Sequence, residues 1–269
     1  MEQERSNTTG WPIRKYSSQS GTFTERDDEI ASEFALTVKL DGEEFATIVC
    51  SPTDLQQLII GFLASEGVIR TMKDIAQLDI DADKGFAYVS LVHKQSTSKE
   101  YYSRRFIGSC CGKSRQFYFH NDMMTARTVT SRIQVSAGEC LALMRLLQQS
   151  SDDFRLTGGV HNAAIGTAGE LLAVYTDIGR HNALDKVFGY CVEKRLRTSD
   201  KIIIFSGRLS SEVVLKAAKI GCGILLSKSA PTDLALKLAT DLGITCVGFI
   251  RGDELNVYTH YDRVTGGNM

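Results

Sequence analysis

Two adjacent cysteines, Cys110 and Cys111, lie in a short run of small and basic residues, Gly108-Ser109-Cys110-Cys111-Gly112-Lys113-Ser114. Further arginines flank this run at Arg104, Arg105 and Arg115. Cations near a thiol stabilise its thiolate and lower its pKa, and the thiolate is the nucleophile of persulfide chemistry. The residue types therefore predict a reactive cysteine loop.

Two other interpretations of the cysteine pair are a buried structural pair and a zinc site. Buried cysteines that pack as small hydrophobic residues are the commoner case in proteins. The polar, basic surroundings and Gly112 argue against that interpretation here. A zinc site is disfavoured because adjacent cysteines suit a tetrahedral chelate poorly and the chain contains no C-x-x-C motif.

The whole composition is that of an ordinary globular protein, with 269 residues, 43% hydrophobic and 23% charged. The seven cysteines are odd in number and widely spread, which fits free thiols in a reducing compartment. Neither a signal peptide nor a run of about 18 apolar residues is present, so we expect a cytoplasmic protein. A formal net charge of −1 gives no global field for nucleic acid or membrane, so an anion site must be local.

Three predicted strand-to-helix loops share the residue types of such a local site. They are residues 177–180, 206–211 and 227–233, and each combines small residues, one cation and a hydroxyl or carboxylate at the helix start. A helix N-terminus offers unpaired N–H groups and the positive end of the helix dipole to an anion. Such loops gather at the carboxyl edge of an open α/β sheet, so Arg180, Arg208 and Lys228 should converge.

For any single loop, simple capping of its own helix explains the composition equally well. All three together favour a ligand with several phosphates. None of them is a Walker P-loop or a G-x-G-x-x-G fingerprint, so ATP hydrolysis and dinucleotide binding of the usual type lack their motifs.

Two histidines lie near these loops. His161 follows paired glycines in residues 157–164, a pattern typical of backbone that approaches a ligand or another chain closely. His181 lies beside Arg180 at the first anion-type loop, so we count it with Arg180 among the candidate ligand-binding residues. A lone histidine is more often a structural residue than a functional one, and this alternative stays open for both.

The pattern along the chain predicts an α/β fold with an N-terminal β-hairpin and helix subdomain. We expect a loose arm over residues 1–30, a subdomain with the cysteine loop over 31–150, and an α/β subdomain with the anion loops over 151–269. Ser51 is predicted to cap the first helix, with Pro52 at its first position. Ser136 and Glu139 form a capping box for a later helix.

Taken in order, several motifs resemble the formate dehydrogenase accessory sulfurtransferase family, also called FdhD/NarQ. The matching stretches are residues 51–55, 61–67, 157–161, 177–186, 206–212, 227–232 and 256–260. So many long motifs in one order are specific. The match runs from about Ser51 to His260, and only the N-terminal arm lies outside it.

The resemblance implies a cytidine-deaminase-like layered fold, a homodimer and a persulfide loaded by a cysteine desulfurase. It further implies transfer of that sulfur to the molybdenum bis(guanine dinucleotide) cofactor before insertion into formate dehydrogenase, with GDP as a mimic of the cofactor. No catalytic metal of its own is implied. By position, the family's cofactor-binding segment corresponds to Leu255, Asn256, Val257, Tyr258, Thr259 and His260.

The cysteine loop of the family is often written S-C-G-x-C-G, and this chain departs from it. Aligned on Cys-Gly, the first cysteine is Cys111 and the second position holds Ser114. We therefore assign the persulfide to Cys111 and treat Cys110 as a candidate helper.

Two alternative functions follow. One is a cofactor-binding chaperone without sulfur transfer. The other is a zinc nucleoside deaminase, disfavoured because Asn162 and Ala163 follow His161 where a deaminase needs a glutamate.

Overall fold

The computed structural model describes residues 5–93, the backbone of 105–107, residue 126 and residues 128–266. Over these ranges the chain is a mixed α/β protein with six helices, so the predicted class is confirmed. None of the helices in these ranges is long and apolar enough to cross a bilayer.

The N-terminal part contains a five-stranded sheet covered by one helix. Its strands are β3 (Phe34–Leu40), β4 (Glu43–Cys50), β5 (Ile75–Asp81), β6 (Phe86–Leu91) and β7 (Arg105–Ile107), in the order β5-β6-β3-β4-β7. Helix α1 (Leu55–Ser65) packs its apolar residues against the sheet, where Leu36, Ile48 and Leu58 are fully buried. The predicted N-terminal β-hairpin is confirmed by the pairing of β3 with β4, whose turn holds Asp41 and Gly42.

Residues before this sheet form a two-stranded ribbon rather than a loose arm. Strand β1 (Thr8–Ser17) pairs with β2 (Thr22–Ala31) in an unbroken antiparallel register. The expectation of an arm without regular structure is therefore wrong over this span. The sequence did not predict these two strands, because they are polar and lack the apolar alternation that marks a half-buried strand.

The C-terminal part is built on a six-stranded sheet. Its strands are β9 (His161–Gly166), β10 (Leu171–Asp177), β11 (Ile202–Phe205), β12 (Ile224–Ser227), β13 (Thr245–Arg251) and β14 (Glu254–Val257), in the order β10-β9-β11-β12-β13-β14. Strands β11, β12 and β13 are parallel, and β10 runs with them because it and β11 are both antiparallel to β9.

Helices cover both faces of this sheet. On one face lies α2 (Ala137–Gln149), and on the other lie α4 (Arg180–Glu193), α5 (Ser211–Ile220) and α6 (Asp233–Leu242). The short α3 (Asp152–Thr157) precedes β9, and β8 (Val135–Ser136) pairs with β15 (Val264–Thr265). The predicted boundary at residue 150 assigns α2 to the N-terminal subdomain, although α2 packs on the six-stranded sheet of the C-terminal part. The division of the chain at residues 30 and 150 stays a prediction.

Helices α1 and α4 join the two sheets at a close crossing. A Cβ atom on Gly61 would overlap the backbone carbonyl of Asp185, and one on Gly189 would overlap that of Gln57. Glycine is therefore required at both positions for the helix backbones to meet.

The capping predictions had different outcomes. Ser136 and Glu139 form the predicted capping box of α2. The cap predicted at Ser51 is wrong, since α1 begins at Leu55 with Asp54 as its N-cap residue. Ser51 is instead bound to the C-terminal half of the chain.

Candidate functional site

The three anion-type loops meet at one edge of the six-stranded sheet. Strands β10, β11 and β12 all end there, because they run in the same direction, and β9 begins there. Asp177 at the end of β10 pairs with His161 at the start of β9. The geometry thus gathers residues separated by more than 60 positions into one place, which we call the carboxyl edge.

Asp177 anchors the first loop of the carboxyl edge. Its fully buried carboxylate accepts hydrogen bonds from the N–H groups of Ser51 at 3.1 Å and Gly179 at 2.8 Å. It also accepts from the amide of Asn182 at 2.9 Å and lies 2.9 Å from the ammonium of the fully buried Lys186. Four donors hold this carboxylate, so the loop that carries Arg180 has one defined conformation.

Ser51 ties the same loop to the N-terminal sheet. Its hydroxyl accepts a 3.1 Å hydrogen bond from the N–H of Ile178, and Asn182 donates to the carbonyl of Val49 at 2.8 Å. Sequence reasoning placed Ser51 at a helix start and gave no role to Asn182 or Lys186. The only available signal was that all three lie in the motifs that resemble the family.

Arg180 and His181 form a linked pair. The Nε of Arg180 donates to Nε2 of His181 at 3.2 Å, and this nitrogen also lies 3.1 Å from a carboxylate oxygen of Glu212 on α5. His181 is buried, whereas Arg180 is partly exposed. His181 therefore contacts Arg180 from a buried position, and its part in ligand binding stays a prediction.

His161 faces the second loop. A Cβ atom built on Gly207 would lie 3.5 Å from Nδ1 of His161 and would clash with the ring of Phe205. Glycine is therefore needed at position 207. Burial and the nearby Arg180 lower the pKa of His161, and Asp177 only partly opposes them. The imidazole is accordingly neutral at pH 7 and has a lone pair to offer.

The second and third loops are tied to each other by short hydrogen bonds. The hydroxyl of Ser227 donates to the carbonyl of Gly207 at 2.7 Å, and that of Ser229 donates to the carbonyl of Ser206 at 3.0 Å. Ser206 in turn accepts from the N–H of Asn162 at 2.9 Å. Arg208 is exposed and Lys228 is partly exposed on this connected frame. Cations on a fixed frame can bind a multivalent anion with little loss of conformational entropy.

The predicted cofactor segment is divided between two places. Leu255, Asn256 and Val257 lie in β14, which begins at the carboxyl edge, and Tyr258 follows the strand. Thr259 instead bonds to the beginning of β13, donating to the carbonyl of Ile244 at 2.7 Å and accepting from the N–H of Cys246 at 2.9 Å. His260 lies beside Thr240, with its Nε2 3.1 Å from that carbonyl. Because β13 is parallel to β12, Thr259 and His260 are at the opposite edge of the sheet.

Five cysteines are described by the structure, and all are buried free thiols. Burial raises the pKa of Cys50, Cys140, Cys191 and Cys246 to about 12 and also raises that of Cys222. These thiols therefore stay protonated and out of reach of a sulfur donor. The predicted catalytic residues Cys110 and Cys111, with Ser114, lie outside the described residues.

Comparison with known proteins gives consistent matches over nearly the whole chain. The FdhD/NarQ family model matches residues 31–265. A protein of Geobacillus kaustophilus named sulfur carrier protein FdhD is 58% identical over 95% of this chain and 97% of its own length. A protein of the same name from Bacillus subtilis is 53% identical over 91% of this chain and 94% of its own.

A solved structure resembles the fold as well. It is the crystal structure of a protein from Desulfotalea psychrophila assigned as a formate dehydrogenase accessory protein. It superposes with a TM-score of 0.77, covers 97% of this chain and 100% of that one, and is 25% identical in sequence.

Proposed function

Since the chain belongs to the FdhD/NarQ family, we propose that it is a sulfur carrier that holds a persulfide on Cys111 and delivers the sulfur to a molybdenum cofactor for formate dehydrogenase. The name shared by its relatives, sulfur carrier protein FdhD, supports the carrier role. The observation that carries the choice of residue is the burial of five of the seven cysteines. Of the remaining two, Cys111 precedes glycine as in the family loop.

Loading follows ordinary thiol exchange. The Cys111 thiolate attacks the terminal sulfur of a persulfide on a cysteine desulfurase, the sulfur–sulfur bond of the donor breaks, and the desulfurase thiolate leaves. The basic residues around Cys111 favour the attacking thiolate. Cys110 is the candidate helper in place of the family's second cysteine, whose position is Ser114.

The carboxyl edge is the proposed cofactor site. The molybdenum bis(guanine dinucleotide) cofactor is a substrate here, and its phosphates are the multivalent anion that the loops fit. Arg180, Arg208 and Lys228, together with the N-termini of α4, α5 and α6, would bind these phosphates. Leu255, Asn256, Val257 and Tyr258 would line the outer end of the same site, whereas Thr259 and His260 would contribute only from the opposite edge of the sheet.

The remaining parts of the proposal concern context. A sheet covered by helices on both faces supports the cytidine-deaminase-like layering implied by the resemblance. A homodimer, a cytoplasmic location and a cysteine desulfurase as sulfur donor complete the proposal, and they rest on the resemblance and on the composition.

A mass measurement tests the sulfur step. Incubation with a cysteine desulfurase and cysteine should add one sulfur to the intact protein, and the adduct should map to Cys111. Cys111→Ala should abolish it, while Cys140→Ala, which removes a buried thiol, should leave it unchanged. An adduct that survives in Cys111→Ala would refute the assignment.

A binding measurement tests the carboxyl edge. With GDP as probe, Arg208→Gln and Lys228→Gln should each weaken affinity by about 5- to 10-fold, because each removes one charge-assisted hydrogen bond. Lys84→Gln, an exposed cation at the turn between β5 and β6 in the N-terminal sheet, is the matched control. Equal affinities in all three variants would place the nucleotide elsewhere.

A chaperone without sulfur transfer is the alternative function. It predicts that the double variant Cys110→Ala, Cys111→Ala still binds GDP and still restores formate dehydrogenase activity. Loss of that activity with retained GDP binding would support sulfur carriage instead.

A further inference from the structure

A cavity of about 490 Å³ lies between the N-terminal and C-terminal parts of the chain, away from the carboxyl edge. It is lined by the last turns of α4, the end of α5 and the segment that follows α1, and we call it the rear cavity. Helix α4 has 14 residues and begins at the carboxyl edge, so its far end lies about 21 Å from that edge. Cavities of about 300–1,000 Å³ are the size in which proteins bind small ligands.

Part of the wall of the rear cavity is apolar. Phe188 and Val192 lie on α4, Leu196 follows that helix, and Ile220 ends α5. Each of these side chains packs on one or both of the cores on either side of α4. A ligand with an apolar body would remove more of this wall from water, which favours binding.

Three cations lie at the mouth of the rear cavity. Arg70, Lys73 and Arg195 line it and are exposed, and none of them forms an ion pair with another residue that the structure describes. The nearby Asp74 turns its carboxylate to the N–H groups of Arg70 at 2.8 Å and Thr71 at 2.9 Å. No acid is among the described residues that line the cavity, so its mouth carries an excess of positive charge.

The backbone at Arg195 is in the left-handed region, with φ of 50°. The N–H groups of Arg195 and Leu196 bind the carbonyls of Val192 and Cys191 at 3.2 Å and 2.9 Å, the pattern of a helix end that normally uses glycine. Helices α1, α3, α5 and α6 do end at left-handed glycines, namely Gly67, Gly158, Gly221 and Gly243. Only α4 among these five helices has a charged side chain at this position, where that side chain costs conformational strain.

Neutralisation of helix dipoles is the simpler explanation for cations at these helix ends. The carbonyls there already have donors, however. Those of Cys191 and Val192 accept the bonds just described, and that of Ile220 accepts from the hydroxyl of Thr198 at 2.7 Å. Arg70 and Lys73 also come from the N-terminal part of the chain, which has no part in ending α4 or α5.

We propose that the rear cavity is a binding site for a small organic anion, a phosphate ester or a carboxylate with an apolar body. The body would contact Phe188, Val192 and neighbouring apolar side chains. Arg195 and Lys73 would bind the anionic group at the mouth through charge-assisted hydrogen bonds. The inference goes beyond the proposed sulfur transfer, because the rear cavity shares no residue with the carboxyl edge.

Isothermal titration calorimetry of the full-length chain in a phosphate-free buffer tests the site. The probes 1-naphthyl phosphate and 1-naphthoate share one apolar body and differ in the anionic group, whereas inorganic phosphate has no such body. The tighter naphthyl compound should bind about tenfold or more tightly than inorganic phosphate, because phosphate alone leaves the apolar wall in water. Which of the two binds more tightly identifies the ligand as a phosphate ester or a carboxylate.

Arg195→Gly is the decisive variant. It removes the cation and relieves the backbone strain, so the protein should be at least as stable in urea as the unchanged chain. Its affinity for the tighter naphthyl compound should nevertheless fall by about 5- to 10-fold, and Lys73→Gln should cause a similar loss. Lys194→Gln, an exposed neighbour outside the cavity lining, is the matched control and should change the affinity by less than about twofold.

Two results would overturn the inference. One is the absence of binding of both naphthyl compounds at about 1 mM. The other is an affinity that is unchanged in Arg195→Gly and Lys73→Gln but reduced in Arg208→Gln, which would place the anion at the carboxyl edge. The sulfur adduct on Cys111 is measured independently of either result.

Discussion

Lys186 offers the sharpest test of how the fold supports the carboxyl edge. Its side chain is completely buried, 2.9 Å from the carboxylate of Asp177 and 2.9 Å from the carbonyl of Thr176. Lys186→Met keeps most of the length and the apolar stem of the side chain and removes the ammonium group, with its charge and its hydrogen bond to Thr176. Asp177 then keeps three of its four donors and loses its countercharge.

The expected cost follows from the burial of both groups. Removal of one partner from a buried ion pair destabilises a protein by about 3–5 kcal/mol, because the other charge stays buried without compensation. For a chain of this size that corresponds to a fall in melting temperature of roughly 6–20 °C. The double variant Asp177→Asn, Lys186→Met removes both charges and should cost clearly less than the sum of the single changes.

Urea unfolding measures these free energies, with Lys237→Met on the exposed face of α6 as the control. GDP binding provides a second measurement. Asp177 holds the loop that carries Arg180, so Lys186→Met, which removes the countercharge of Asp177, should also weaken GDP binding. A cost below about 1 kcal/mol for Lys186→Met, or strictly additive costs in the double variant, would refute the reasoning.

Three further outcomes follow from the same geometry. In native protein at pH 8, a thiol reagent should modify at most Cys110 and Cys111. All seven cysteines should react only after denaturation. Rapid labelling of the five buried thiols in the native protein would contradict their raised pKa values. The pKa of His161 is lowered in the folded state, so the free energy of unfolding should fall as the pH drops below about 6.5. This pH dependence should be smaller in His161→Gln, and an unchanged slope would point to other groups. Gly189→Ala should destabilise by about 3 kcal/mol or more in urea, because its Cβ meets backbone that cannot move away. Gly169→Ala, where a Cβ meets open space, should be nearly neutral, and equal effects of the two changes would count against a close helix crossing.

Local sequence patterns determined much of the C-terminal half. Strands precede the three predicted anion-type loops and helices follow them, as the apolar run Ile202–Phe205 before the second loop illustrates. Such strands and helices depend on short-range periodicity and on capping residues, and both signals come from residues that are close together in the sequence. The common edge of the three loops that carry Arg180, Arg208 and Lys228 also followed from sequence, because parallel strands end at the same edge of a sheet.

Long-range packing decided what local patterns left open. Ser51 was assigned to a helix start, yet it binds Asp177 from across the chain, and nothing within a few residues of either marks that pairing. The ribbon was missed because its stability depends on pairing between two polar strands rather than on an apolar face.

The family resemblance and the candidate chemistry of Cys111 were therefore available from the sequence alone, since residue identity and order carry them. The structure alone separated Thr259 and His260 from Leu255 and Asn256, and placed the buried His181 in contact with Arg180. The physical reason is that strand direction, burial and the partner of a buried charge are set by contacts between distant segments, which become definite only when the sheet is assembled.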